Sequence, residues 1–171
     1  MILREMFNQQ AKLDKRIIRE HDLEGKDLFN NTVVSLIVEL GECSNEVRFF
    51  KYWSNKGSSP KEVIAEEYAD VLHFALSIGN MIGGDLIKEH NYIARMELGD
   101  LCEDFIYITN SLCSLKSARN KKHKDLTEYL YIEMVQALLG FGYKLGFTDK
   151  EIEMAYYKKN AINFKRQDQG Y

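Results

Sequence analysis

The sequence predicts an all-α fold, a helical bundle of about six helices. Three observations carry this expectation. The 171 residues contain a single proline. No segment shows the sustained polar–apolar alternation of a half-buried strand. Stretch after stretch instead repeats its apolar residues at spacings of three and four. The length suits one domain, residues 1–171, with enough apolar content for one core. A net charge of −3 leaves no basic footprint for a general nucleic-acid binder. No apolar run approaches membrane-spanning length, and the start lacks the apolar core of a signal peptide. Cys43, Cys102 and Cys113 are an odd count in apolar surroundings without C-x-x-C spacing. They read as buried free thiols, and the chain as cytoplasmic.

The helices follow in order. Residues 2–21 place Leu3, Met6, Phe7, Leu13, Ile17 and Ile18 on a packing side, with Gln10 and Asp14 one turn apart. That pair either is an ordinary surface pair, the reading periodicity favours, or presents an amide and a carboxylate to a ligand. Residues 22–31 are a polar connection, and Asn30, Asn31 or Thr32 caps a second helix running from about 32 to 53. It ends in Lys51-Tyr52-Trp53 before the loop composition of 54–58. Ser59-Pro60-Lys61-Glu62 reads as a capping box with proline at the first helical position, and its helix stops at Gly83-Gly84. A helix over 92–118 carries Leu98, Leu101, Cys102, Phe105, Ile108, Leu112 and Leu115 along one side, suited to a bundle or a subunit interface. Residues 120–124 are a basic, solvated turn. A helix over 125–145 ends near Gly146, and Thr148-Asp149-Lys150-Glu151, a second capping box, opens a last helix over 149–164.

The chemistry lies in Glu39-Leu40-Gly41-Glu42 and Glu67-Tyr68-Ala69-Asp70. Carboxylates three apart share a helix face, and on most helices that face is wet. Here the neighbours are apolar. At 100° per residue, Glu39, Glu42 and Glu46 form a stripe between Leu36, Leu40, Cys43, Val47 and Phe50 on one side and Val38, Phe49 and Trp53 on the other. Glu67 falls among Val63, Ile64, Val71, Phe74 and Ile78, with Asp70 at the edge of that arc. Unpaired buried carboxylates are costly, and several together repel. A hard divalent cation, Mg²⁺ or Mn²⁺, relieves both problems. The competing explanation is internal Lys or Arg partners, few of which lie on the right faces. His73, three residues after Asp70, reads as a hydrogen-bonded surface histidine. On the last helix Lys159, Asn163 and Arg166 share one face. They suit either a polyphosphate or merely the dipole of a helix end. Trp53 suits either base stacking or a core edge.

Together these residues resemble the dimeric all-α dUTPase family, within the wider group of all-α nucleoside triphosphate pyrophosphatases that includes MazG. The resemblance rests on Phe7-x-x-Gln10-x-x-Leu13-Asp14, Glu39-x-x-Glu42-x-x-Asn45-Glu46 leading into Phe50-Lys51-Tyr52-Trp53-Ser54, Glu66-Glu67-Tyr68-x-Asp70-x-Leu72-His73-Phe74, and Lys159-Asn160-x-x-Asn163-x-x-Arg166-Gln167-x-x-Gly170-Tyr171. It implies that Glu39, Glu42, Glu67 and Asp70 hold Mg²⁺, with Glu39 or Glu42 as the base. It implies that Lys159, Asn163 and Arg166 hold phosphates, that Gln10 reads uracil and that Trp53 lies near the nucleotide. Lys51 and Tyr171 are further substrate-binding candidates. The implied activity is hydrolysis of dUTP, and of dUDP, in a homodimer. Family members are often longer after the metal helices than this chain is over 85–125.

Three alternatives compete with this reading. A sibling pyrophosphatase acting on dCTP or a modified base shares the metal site. A di-iron bundle requires Glu-x-x-His on two helices, and here Asp70-x-x-His73 is the nearest approach. A non-enzymatic interaction module leaves the carboxylates in apolar faces unexplained.

Overall fold

The computed structural model describes residues 3–83 and 94–170. Among these residues it contains six helices and no strand: α1 (Leu3–Glu20), α2 (Phe29–Val47), α3 (Lys61–Met81), α4 (Leu101–Asn120), α5 (Lys124–Lys144) and α6 (Asp149–Asp168). The all-α prediction holds. Gly84, the opening of the expected 92–118 helix and Tyr171 lie outside the described residues.

Helix α3 is the centre. It packs against α1, α2, α5 and α6. Accordingly Tyr68, Ala69, Val71, Leu72, His73 and every residue from Ala75 to Gly79 are buried. A helix buried nearly all round is one enclosed by others rather than lying on a surface. One hydrophobic cluster draws on all six helices, from Met6 and Phe7 through Leu36, Leu40, Val71 and Ile78 to Leu112, Leu138 and Tyr156. The apolar stripe of α4 belongs to this core, with Ile108, Leu112 and Leu115 fully buried.

Three buried tyrosines each donate to a carbonyl on another helix: Tyr68 to Leu138 (2.8 Å), Tyr131 to Ala75 (2.8 Å) and Tyr156 to Met6 (2.9 Å). Each thereby buries a large ring without orphaning its hydroxyl. Close approach needs glycine at several points, Gly79 and Gly140 among them. A Cβ on Gly79 would fall on the Tyr131 hydroxyl and the Phe7 ring, and one on Gly140 would fall on the Met96 carbonyl. Segment 94–100 is fastened to α5 there, through the Met96 amide on the Gln136 carbonyl (3.0 Å) and through Lys144. The Lys144 ammonium donates to both oxygens of the fully buried Asp104 (2.8 Å each) and to the Gly99 carbonyl (2.8 Å).

Several boundaries differ from expectation. Helix α2 begins at Phe29 rather than 32, and no side chain of Asn30, Asn31 or Thr32 caps it. The Asp27 carboxylate accepts from the Phe29 amide instead (3.1 Å), while the Thr32 hydroxyl bonds back to the Leu28 carbonyl (3.0 Å). The helix stops at Val47, six residues short of the expected end, because Arg48 adopts the left-handed conformation (φ 67°). The loop then folds back to occupy the freed groups. The Ser58 hydroxyl donates to the Val47 carbonyl (2.7 Å), the Ser59 amide to that of Glu46 (2.9 Å), and Arg48 to Ser54 Oγ (2.7 Å).

The expected box at Ser59 is not formed. Pro60 is the N-cap of α3, one position before the helix, and the Ser59 hydroxyl donates to Glu46 instead. The box at Thr148 does form, with the Thr148 hydroxyl accepting from the Glu151 amide (3.3 Å) and the Glu151 carboxylate accepting from the Thr148 amide (2.8 Å). Helix α4 starts at Leu101, capped by Asp100, and α6 runs on to Asp168. All three cysteines are free, but only Cys43 is buried; Cys113 is exposed, against expectation.

Candidate functional site

Helix α2 lies along α3, and their facing acids meet. Glu39, Glu67 and Asp70, each half-buried, offer carboxylate oxygens that all lie within 4.8 Å of one another. Glu42, one turn beyond Glu39, is exposed and stands at the rim outside that trio. Its charge still reaches Glu39 and Glu67. Glu46, the third member of the predicted stripe, turns aside to Ser59.

The trio is short of positive charge. Burial, then repulsion from Asp70, Glu42 and Glu67, pushes Glu39 up to about 7. Burial and Asp70 raise Glu67. Burial also raises Asp70, although a hydrogen bond from Lys159 works against it. That lysine comes from α6. Its ammonium is 2.6 Å from Asp70 Oδ2 and 3.2 Å from Glu66 Oε1, and the residue is 6% exposed. Burial draws its pKa down, but Asp70 and then Glu66 outweigh that and hold it above the ordinary value. The basic partner weighed for the carboxylates therefore exists for one of them, and it comes from a third helix. One and two turns further along α6, Asn163 and Arg166 are half-buried, with Arg166 Nη1 3.5 Å from Asn163 Oδ1, and the Arg166 charge acts on Asp70.

These residues fit a hard divalent cation. The donors are all carboxylate oxygens, close enough to share one ion. A cation, the Lys159 ammonium, already stands against one of them.

Beside this trio lies a second polar cluster that the sequence reading placed on the surface. Gln10 is 3% and His73 4% exposed. Gln10 Nε2 donates to Asp14 Oδ1 (2.8 Å) and to Ser77 Oγ (3.0 Å), and the Ser77 hydroxyl donates to the same Asp14 oxygen (2.8 Å). A carboxylate requires the NH₂ end of the amide, so Gln10 Oε1 faces His73 Nδ1 (2.6 Å) and the Tyr156 hydroxyl (3.3 Å). His73 Nδ1 then carries the hydrogen. Burial lowers the pKa of this histidine to about 4, so Nε2 presents a lone pair. Nε2 is buried and has no partner among the described residues. Burial also lifts Asp14 to about 6, against the hydrogen bonds of Gln10, Ser77 and Asn80.

A sequence signal for this cluster did exist. Gln10 lies among Met6, Phe7 and Leu13, and Ser77 lies one turn from His73 on the most apolar helix. Polar pairs at four-residue spacing on packing faces have to meet each other somewhere.

Lys51 and Trp53 form no hydrogen bond, ion pair or ring contact with these residues, and Tyr171 lies outside the described residues. Lys51 and Trp53 sit in the loop after α2. Trp53 is 65% exposed, edge-on to Tyr52 (5.0 Å) and Phe50 (6.2 Å), and the Lys51 ammonium lies over the Phe50 ring. Trp53 is therefore an exposed ring and not a core edge.

No helix among the described residues is long and apolar enough to cross a membrane. Among curated proteins, none matches this chain. A family model described as dUTPase, however, matches residues 2–171, nearly the whole length. The all-helical architecture agrees with that match. The chain belongs to the dUTPase family, hydrolases that act on the phosphoanhydride bonds of dUTP.

Proposed function

We propose that the chain hydrolyses dUTP, and dUDP, at the α-phosphorus, releasing dUMP and, from dUTP, pyrophosphate. Mg²⁺ is the proposed ion, with Mn²⁺ as a substitute, held by Glu39, Glu67 and Asp70 and completed by Glu42. The observation that carries this reading is the trio of carboxylate oxygens within 4.8 Å. The Lys159, Asn163 and Arg166 face of α6 stands beside it. When bound, the ion supplies positive charge beside the phosphates and eases deprotonation of the attacking water.

The chain's own groups do the rest. Glu39 or Glu42 takes the proton of that water. The water oxygen bonds to the α-phosphorus as the bond to the bridging oxygen breaks in line. Lys159, Asn163 and Arg166 hold the phosphates, matching donors to anionic oxygens. Glu39 suits the base role by its place within the carboxylate trio, and Glu42 by its exposure to solvent.

On the base side, Gln10 fixes His73 with Nε2 free to accept. Uracil carries a hydrogen on N3 where cytosine carries a lone pair, so a buried acceptor favours uracil. A mismatch of this kind is rejected strongly. Gln10 itself reads the base by exchanging one of its present bonds for one to the uracil edge. A site too tight for the 5-methyl group turns thymine away. Lys51, Trp53 and Tyr171 remain proposed substrate contacts. A homodimer is proposed as well, supported by the exposed pair Val34 and Val38, one turn apart on α2.

The test is pyrophosphate release from dUTP, dCTP, dTTP and dATP, with Mg²⁺ and with EDTA. Mg²⁺-dependent release confined mainly to dUTP is expected. Preferential release from dCTP would overturn the base reading and keep the carboxylate site.

A further inference from the structure

Resting on that reading, we infer that Lys159 is exchanged between the carboxylate trio and the substrate, and that Glu66 is the positioning residue that keeps it within reach. The evidence is geometric. Lys159 bridges two acids that belong to different sets. Asp70 is one of the trio able to share an ion; Glu66, one helical turn before it, is not. The lysine is buried, whereas the Glu66 side chain is 46% exposed. Glu66 also lines a groove of about 430 Å³ between α3 and α6, walled by Ala65, Phe147, Ala155 and Ile162.

A divalent cation held on the Asp70 carboxylate repels an ammonium 2.6 Å from Asp70 Oδ2. Entry of the ion therefore drives Lys159 off its shorter contact. Without a second acid, the displaced ammonium would be a buried cation with no partner, which is strongly unfavourable. Glu66 removes that cost by retaining the lysine at the edge of the groove, one turn from Asn163 along α6. There the ammonium is poised for an anionic oxygen of the phosphates. Lys159 thus offsets part of the trio's charge, at Asp70, until the ion arrives, and then becomes available to substrate.

The inference predicts opposite effects on ion binding and on turnover. Mn²⁺ binding to the purified full-length chain is measured without nucleotide, from the electron paramagnetic resonance signal of the free ion. Pyrophosphate release from dUTP is measured in parallel. Lys159→Met keeps the volume and the apolar stem. It is expected to bind Mn²⁺ about 10- to 150-fold more tightly, the scale of one charged hydrogen bond, while releasing pyrophosphate at least tenfold more slowly. Lys158→Met removes the same charge from the adjacent, exposed position and is expected to leave Mn²⁺ affinity within about twofold.

Glu66→Gln is expected to weaken Mn²⁺ binding in the wild-type background, and to lose that effect when combined with Lys159→Met. Glu66→Asp is expected to restore most of the binding. Equal or weaker Mn²⁺ binding by Lys159→Met would overturn the exchange. So would a Glu66→Gln effect of the same size in both backgrounds, which would be plain electrostatics. Wild-type protein that neither binds Mn²⁺ nor cleaves dUTP would instead remove the functional reading, and the exchange with it. Circular dichroism of each variant shows that it is folded.

Discussion

At the scale of single residues, the site is built from groups that are uncomfortable in the folded protein. Asp14 is the clearest case. Its folded pKa, about 6, lies above its ordinary value of 3.8. Well below pH 4 the group is protonated in both states and costs nothing. Between pH 4 and 6 the unfolded chain ionises first and stability falls; above pH 6 the penalty is complete. Asn in its place keeps an oxygen for Gln10 and Ser77 and carries no charge. Asp14→Asn is therefore expected to stabilise the protein by about 1–3 kcal/mol at pH 8 and by almost nothing at about pH 3. Urea denaturation at the two pH values measures this, and equal gains at both would mean the charge is not the cause. Glu42→Gln is expected to leave the fold intact and abolish turnover, because the rim carboxylate is exposed and packs little. Near wild-type pyrophosphate release from the purified variant would take Glu42 out of the mechanism. Tyr156→Phe removes the donor on Met6 O and one of the bonds to Gln10, at an expected cost of about 1 kcal/mol. Its readout is the denaturation midpoint.

At the scale of elements, the ends of helices separate what local sequence controls from what it does not. Thr148 and Glu151 bond each other's backbone within one turn, and the predicted box is present. Thr148→Ala is expected to cost about 1 kcal/mol, seen as a lower denaturation midpoint at unchanged slope. Ser59 and Glu62 have the same spacing, but the Ser59 hydroxyl goes to Glu46, thirteen residues back, because the loop brings the end of α2 to the start of α3. The end of α2 departs from the sequence expectation for a related reason. Its left-handed residue is Arg48 and not a glycine, and what holds it is the tertiary return of residues 54–59. By contrast Gly83 and Gly146, both at positive φ, close α3 and α5 where the sequence put the stops.

At the scale of the whole molecule, stability and function meet in the arrangement of charge. Two cationic side chains of α5 and α6 pair with acids on other helices, the buried Asp104 and the half-buried Asp70. Lys144 on Asp104 is architectural, fastening segment 94–100 across α4 and α5. Lys144→Ala leaves Asp104 buried without its cation and is expected to cost about 3–5 kcal/mol, enough to be obvious in any unfolding curve. Lys159 on Asp70 belongs to the site. There the acids outnumber the cation, so a divalent ion should stabilise the fold. At a hundred times its dissociation constant, Mg²⁺ or Mn²⁺ is expected to add about 2.7 kcal/mol, or roughly 5–10 °C in melting temperature. EDTA is expected to reverse the gain; an unchanged melting temperature would mean that the trio holds no ion.

By itself the sequence determined the helical class, the order of the helices, and which acids share faces of α2 and α3. Helical periodicity and glycine stops are local properties, and an acid within an apolar arc is anomalous wherever the helix packs. The sequence also carried the family, through motifs spread from Phe7 to Tyr171. Tertiary structure decided the rest. It put Gln10 and His73 inside rather than on the surface, because a residue's burial depends on the helix opposite, and α1 meets α3 along the face that bears them. It selected Glu39, Glu67 and Asp70 from a longer list of acids, sending Glu46 to Ser59 and leaving Glu42 at the rim. It also brought Lys159 to Asp70 across 89 residues of chain, a pairing no spacing rule reaches, since charges far apart in sequence meet only when packing has fixed where their helices cross.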